Sequence, residues 1–204
     1  MSTEQSVPAP CSTESGTLTT PTQITRNRHI IVVCGPAGCG KTSYAKHIAE
    51  KFNLPFMEGD QYHSPEAVDK MKRRIPLEDA DRWGWLTRLS DGATGFLSDN
   101  NVPGVVMTCS ALKQAYRDVL RRANDTTRGV SLHFIFLQAD RETLMIRLKL
   151  REEHFMSAEM LDSQLAILEP AGENEPDVVG VDVRGGREET EALAADAASK
   201  ILSN

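Results

Sequence analysis

Apolar residues along this chain fall into two rhythms. Short, β-branched runs with few polar interruptions read as strands buried on both faces: His29–Cys34, Leu54–Glu58, Val105–Cys109, Leu132–Leu137 and Val178–Val183. Between them, apolar positions recur every three or four residues, the period of a helix with one buried stripe. Tyr44, Ala45, Ile48, Ala49 and Phe52 form such a stripe over Thr42–Phe52. Trp85, Leu86, Leu89, Ala93, Phe96 and Leu97 form a longer one. Pro65–Arg74 also reads as helical, with Ser64 placed to cap it and Pro65 at its first position. Further helices are predicted over Lys113–Ala123, Glu142–Arg151, Met160–Leu168 and Glu188–Leu202. Strand and helix alternate throughout. That order predicts an α/β fold, a mostly parallel sheet of about five strands flanked by helices.

The first 28 residues follow neither rhythm. Ser, Thr and Pro fill half of this stretch, and Val7, Leu18 and Ile24 are its only large aliphatic residues beyond Met1. Such a segment cannot offset its ordering entropy by burial, so residues 1–28 are expected to be disordered and residues 29–204 to form one domain. It has no apolar core of a secretory signal. Glu4, Glu14 and the scarcity of Arg weigh against a transit peptide, so a cytoplasmic location is expected.

Charge narrows the field of partners. The chain carries 23 basic and 29 acidic residues, a net charge of −6. That balance excludes a general nucleic-acid coat or a basic membrane-surface binder, and no apolar run reaches membrane-spanning length. Cys11, Cys34, Cys39 and Cys109 form no C-x-x-C pair and no zinc-finger spacing. Cys34 and Cys109 close apolar runs and read as buried thiols, whereas Cys39, in a glycine-rich loop, is a candidate for oxidation.

Candidate chemistry starts at that loop. Gly35-Pro36-Ala37-Gly38-Cys39-Gly40-Lys41-Thr42 matches G-x-x-x-x-G-K-[ST] at every fixed position, between a predicted strand and a predicted helix. Glycines let successive backbone N–H groups turn inward around phosphate oxygens, and the helix N-terminus adds partial positive charge. Lys41 then faces the β- and γ-phosphates and the Thr42 hydroxyl ligates Mg²⁺. These residues predict a nucleoside triphosphate site. No D-x-x-G stands at the end of the third predicted strand and no N-K-x-D appears, which disfavours a GTPase switch. Arg147 and Arg151 lie four apart on one helix just before Glu152–Ser157, a spacing that puts two guanidiniums on one face. They are candidates for a lid that closes over ATP and neutralises the migrating phosphoryl group.

Four further segments, taken with the loop, carry a family resemblance. Gly59-Asp60-Gln-Tyr-His63 follows the second predicted strand. Pro76-Leu77-Glu-Asp79-Ala-Asp81-Arg82-Trp-Gly-Trp85-Leu86 begins the long helix. Cys109-Ser-Ala-Leu-Lys113-Gln-Ala-Tyr116-Arg117-Asp118 follows the third strand. His154-Phe155-Met156, Ser163-Gln164 and Leu168-Glu169-Pro170 come later. Together, over about Ile30 to Val183, the chain resembles the gluconokinases. The resemblance implies a P-loop kinase fold with a mobile helical lid at about residues 152–170. It implies ATP and Mg²⁺ as cofactors, D-gluconate as small-molecule substrate, and 6-phospho-D-gluconate, which feeds the pentose phosphate pathway, as product. It also implies a homodimer, and stacking of Arg147 on the adenine base beside the loop near Arg184. Three positions depart from the family pattern: the loop is poorer in Ser, Gly84 replaces a usual Pro, and Glu153 replaces a usual Gly.

Alongside the resemblance, the residues suggest roles. Asp60, beyond a strand end, suits the acceptor hydroxyl as proton acceptor or orienting group. His63, Arg82 and His154 are candidates for substrate. Lys113 and Arg117 lie four apart at a helix start, presenting two cations suited to a γ-phosphate or a carboxylate. Arg121 and Arg122 read as solvated. Asp79 and Asp81 suit helix capping and pairing with Arg82, Trp83 and Trp85 suit packing, and Gln164 and Glu169 suit a supporting place around the site. Catalysis is expected from Lys41, Asp60, Lys113 and Arg151. Two alternatives remain at this point: a shikimate kinase-like enzyme, or a nucleotide-binding regulator without turnover. Against the first, the chain lacks an acidic pair after the second strand and a Gly-Gly-Gly turn near the third.

Overall fold

In the computed structural model, residues 27–99, 101–150 and 158–203 are described. Strands β1 (Arg28–Cys34), β2 (Phe56–Met57), β3 (Gly104–Cys109), β4 (Val130–Gln138) and β5 (Val178–Asp182) form one sheet in the order β2-β3-β1-β4-β5. All pairings are parallel: Ile30 lies opposite Val105 on one side and Leu132 on the other. The central strand is hydrophobic at consecutive positions because both of its faces are covered. Ile30, Val32 and Cys34 face a cluster with helices α3 (Asp79–Phe96) and α4 (Gln114–Thr126). Ile31 and Val33 face the opposite cluster, with α1 (Lys41–Phe52) and α7 (Arg187–Leu202). The expected α/β architecture of about five strands is observed. No helix among the described residues is long and apolar enough to cross a membrane.

Helix ends follow local chemistry. The Ser64 hydroxyl accepts from the Ala67 N–H at 3.2 Å to start α2 (Pro65–Lys72). The Glu78 N–H donates to Asp81 at 2.9 Å as half of a capping box for α3. Asp140 accepts from the Thr143 N–H at 2.8 Å at the start of α5 (Arg141–Lys149). The helix α6 (Ala158–Ala166) stops short of the expected Leu168, because the Glu169 N–H is committed to Leu112 O at 2.8 Å.

Two boundaries move for clear reasons. β2 is shorter than Leu54–Glu58, because the Leu54 N–H closes α1 on Ala49 O at 2.9 Å and Pro55 has no N–H to pair. β1 begins at Arg28, whose N–H donates to Gly129 O at 2.9 Å. That residue was expected to belong to the disordered segment; the rest of that segment up to residue 26 lies outside the described residues. The carboxyl ends of β1, β2 and β3 bring three loops together, at residues 35–40, 58–63 and 110–113, along one edge of the sheet.

Candidate active site

Those loops line a cavity of about 240 Å³. Ala37, Gly38, Gly40, Lys41 and Thr42 form one wall, and Glu58, Asp60, His63, Arg82 and Trp85 face them. Ser110, Met160, Ser163 and Gln164 complete it, with an apolar floor of Met71, Pro76 and Leu77. Gly40 enters α1 with φ 93°, a left-handed backbone, and a Cβ there would lie 2.8 Å from the Tyr44 ring. The Gly35 N–H donates to Ser110 O at 3.2 Å, joining the phosphate loop to the segment after β3. Lys41 Nζ reaches back over the loop to Gly35 O at 3.1 Å and Pro36 O at 3.0 Å. Ala37 N–H donates to Gln164 Oε1 at 2.8 Å.

On the facing wall, close backbone approach sets the geometry. A Cβ on Gly59 would fall 1.9 Å from Thr108 O, so glycine is required where the chain leaves β2 against β3. The Gly59 N–H donates to Thr108 Oγ1 at 2.8 Å, the Thr108 hydroxyl donates to Glu58, and Trp85 Nε1 donates to Gly59 O at 2.8 Å. This scaffold presents Asp60 with its side chain 81% exposed at the cavity. The His63 ring stacks on Trp85 with centroids 4.1 Å apart, and its Nε2 lies 3.9 Å from Asp60 Oδ1. Burial pulls the His63 pKa below its ordinary 6.5, with Asp60 opposing the shift. Arg82 is buried, donates to Leu77 O at 3.3 Å, and lies 5.5 Å over the Tyr116 ring. Among the described residues, three side-chain nitrogens are buried without a hydrogen-bond partner: His63 Nδ1 and Arg82 Nε here, and His29 Nδ1 on β1. Leaving such groups unpaired costs free energy; both side chains line this cavity, although the two nitrogens themselves are shut off from its open space.

Of the expected site residues, Ala37, Gly38, Gly40, Lys41, Thr42, Asp60, His63 and Arg82 come together here; Gly35, Pro36 and Cys39 belong to the same loop but do not line this cavity, Pro36 lining another and Cys39 being fully buried. Lys113 stands beside this wall, held by Asp79 at 2.7 and 2.9 Å and 5.5 Å over the Tyr116 ring. Tyr116 also donates to Asp79, at 2.6 Å; hydrogen bonds from Lys113 and then Tyr116 hold that carboxyl below its ordinary range. Asp79 therefore pairs with Lys113 and Asp81 with Lys70, not with Arg82.

Arg117 is corrected. It was expected to face substrate, but its side chain is fully buried and pairs with Glu175 at 2.6 Å, away from the cavity. Arg121, expected to be solvated, joins the same network through Glu175, Asp177 and Asp118. Cys39 is fully buried and burial raises its thiol pKa, which removes the basis for a reactive role. Cys34 and Cys109 are buried as expected, the latter pushed up to about 12 by burial.

Arg147 lies on a second cavity of about 300 Å³, with Gly38, Gly40, Tyr44, Leu150 and Arg187, and its guanidinium donates to Val183 O. This puts it next to the loop that follows β5, where Arg184 pairs with Asp182. Arg151 and His154, with most of the expected lid's first half, lie outside the described residues. Sequence reasoning did not single out Glu58, Ser110 or Met160, and gave Gln164 no specific contact. One signal was available, since Glu58 directly precedes the Gly59-Asp60 pair.

The parallel sheet, the glycine-rich loop opening α1 and the cavity at the strand ends define a P-loop nucleotide-binding protein. A family profile described as an AAA domain matches residues 30–171. A probable gluconokinase of Schizosaccharomyces pombe is 43% identical over 86% of this chain and 91% of its own. The thermoresistant gluconokinase of Escherichia coli K12 is 38% identical over 77% of this chain and 86% of its own. The crystal structure of a gluconokinase from Sinorhizobium meliloti 1021 superposes with a TM-score of 0.75 at 38% identity, covering 88% of this chain and 96% of that one. The chain belongs to the gluconokinase family.

Proposed function

We propose that this protein transfers the γ-phosphoryl group of ATP to the 6-hydroxyl of D-gluconate, by direct in-line displacement. The observation that carries the reading is one cavity lined both by the phosphate loop and by a solvent-accessible carboxylate, Asp60, with His63 and Arg82 beside it. Lys41 leaves its loop carbonyls for the β- and γ-phosphates. Asp60 orients the 6-hydroxyl and accepts its proton as the new P–O bond forms. Arg82 and His63, which line the same cavity, hydrogen-bond oxygens of the aldonate. Lys113 exchanges Asp79 for the anionic charge of substrate or phosphoryl group, and Arg151 and His154 belong to the same proposal through resemblance.

The residues present suit magnesium. Thr42 offers a hard hydroxyl on the cavity wall, with Glu58 and Asp60 opposite. Among the described residues no group of three or more His, Cys, Asp or Glu could cage a metal. Magnesium in phosphoryl-transfer sites takes few protein ligands besides phosphate and water. When bound, it neutralises charge on the β- and γ-oxygens.

A cytosolic homodimer is part of the proposal by family resemblance, and sedimentation equilibrium tests the dimer. The reaction is tested by ADP release with gluconate, with shikimate and with neither. Gluconate-dependent release with phosphate appearing on C6 supports the reading. Release with shikimate alone, or none with either, replaces it with one of the two alternatives.

A further inference from the structure

We propose that Gln164 is a positioning residue of the phosphate loop, holding the Pro36–Ala37 peptide in place when Lys41 gives up that peptide's carbonyl to a triphosphate. The inference rests on the nucleotide half of the proposed function. One peptide unit is gripped at both of its polar atoms: Pro36 O accepts from Lys41 Nζ at 3.0 Å, and the Ala37 N–H donates to Gln164 Oε1 at 2.8 Å. Hydrogen bonds in series through one amide polarise each other, and together they fix its rotation about the flanking bonds.

A nucleotide affects the two grips differently. Lys41 carries the charge that phosphate oxygens attract, so binding draws Nζ away from Pro36 O. Gln164 is neutral, belongs to α6, lies 127 residues further along the chain, and keeps its bond. Ala37 is 8% exposed, so water replaces a lost partner poorly there. Without Gln164, departure of Lys41 would leave the Ala37 N–H unsatisfied and Pro36 O held only by the long bond from the Cys39 N–H at 3.4 Å, so the peptide would be freer to turn. A loosened peptide would let the following loop amides, whose N–H groups suit an anion, lose their set geometry.

Two variants separate this role from others. Gln164→Met keeps the length of the side chain and removes the oxygen acceptor; Gln164→Glu keeps an acceptor for the Ala37 N–H. The measurements are affinity for a non-hydrolysable MgATP analogue by calorimetry, steady-state kinetics, and Ala37 amide exchange by ¹⁵N NMR. Gln164→Met should weaken nucleotide binding about tenfold, as expected for one lost hydrogen bond. It should also speed Ala37 exchange and leave the KM for gluconate within about twofold. Gln164→Glu should restore slow exchange and bind nucleotide more tightly than Gln164→Met, despite its added negative charge. The proposal is overturned by faster exchange with unchanged nucleotide affinity, by a change confined to the gluconate KM, or by Gln164→Glu binding no better than Gln164→Met. Nucleotide affinity is measured without gluconate, so failure of the wild-type protein to phosphorylate gluconate would sink the proposed substrate and leave this result standing.

Discussion

Arg117 and Glu175 form a buried, bidentate ion pair between residues 58 apart, with Nη2 and Nε donating to the two carboxylate oxygens at 2.6 and 2.7 Å. The remaining Arg117 nitrogen, Nη1, donates to Ala111 O at 3.0 Å and Glu169 O at 3.2 Å. Ala111 has φ 43°, a conformation rarely adopted by residues other than glycine, so this contact lies where the backbone is under strain. Glu175 also accepts from Arg121 Nη2 at 2.7 Å. The result is a clamp. It fastens the segment between α6 and β5 to the start of α4 and to the loop that leads into Lys113.

A buried pair is costly to break from one side, because the surviving charge stays desolvated. Glu175→Gln should destabilise the protein by about 3–5 kcal/mol, lowering Tm by roughly 10 °C or more in a domain of this size. Arg117→Met with Glu175→Leu should recover much of that loss, since no unpaired charge remains. Thermal unfolding of these two variants, and of Arg117→Met alone, checks this. If Arg117→Met leaves Tm unchanged and instead raises the gluconate KM about tenfold, Arg117 is a substrate ligand after all.

Lys41 presents the opposite balance. Among the described residues its Nζ bonds to carbonyls of its own loop alone, so the fold depends little on it. Lys41→Ala should lower kcat by roughly a hundredfold or more, the scale of losing a charge-stabilising donor, with Tm nearly unchanged. Turnover above a tenth of wild type in the purified variant would remove its assigned role.

The contrast between these two cations shows what the sequence could convey. The phosphate loop was legible because its chemistry is contiguous: Gly35 to Thr42 are neighbours along the chain, and the flanking apolar patterns supply the strand and helix. Lys113 and Arg117 are four apart, but Lys113 is the extended residue before α4 and pairs with Asp79, whereas Arg117 lies on the buried face of the helix. What lies opposite that face is Glu175, in a segment with no periodic pattern, so the direction of Arg117 was not readable. β2 shrank because its first amide was drawn back to α1, a competition invisible in an apolar run. His63 was readable as polar and near Asp60, but its stacking on Trp85 arises from tertiary packing. Gln164 bears no charge and stands in no catalytic motif, and only its contact with Ala37 distinguishes it.

Stability should depend on pH in a defined direction. Burial is the main cause holding the His29, His63 and His133 pKa values below 6.5. Below pH 6.5 the unfolded chain therefore takes up protons that the folded chain refuses, and stability falls as pH drops from 6.5 toward the folded-state values. Paired carboxylates add a second loss at lower pH: hydrogen bonds from Arg117 hold Glu175 at about 2, against an ordinary 4.5. At the alkaline end, burial raises Cys34, Cys39 and Cys109 above 9.0, so deprotonation of the unfolded chain erodes stability above that pH. Tm should be highest near neutrality and begin to fall below about pH 6.5. A Tm that stays level from pH 7 to pH 5 would contradict the histidine contribution.

Arg147 provides the sharpest division of labour on the nucleotide side. Its guanidinium is tied to Val183 O at the end of the sheet and lines the cavity beside Gly38, Gly40 and Tyr44, outside the cavity that holds Asp60 and His63. A planar cation in that position can lie against an adenine face, where cation–π attraction is worth roughly 1–2 kcal/mol when desolvated. It is not among the residues lining the cavity that holds Asp60, so its effect should be the same in the ground state and the transition state. Such uniform binding changes KM and leaves kcat alone. Arg147→Ala should therefore raise the KM for ATP about five- to thirtyfold, with kcat at saturating ATP and gluconate within about twofold. Arg147→Lys should behave nearly as badly, because an ammonium cannot stack as a guanidinium plane does. Steady-state kinetics with ATP and with a triphosphate lacking a purine base check the assignment. The variant should lose its preference for ATP over the base-free analogue. If kcat falls with KM unchanged, Arg147 acts on the migrating phosphoryl group and the base lies elsewhere.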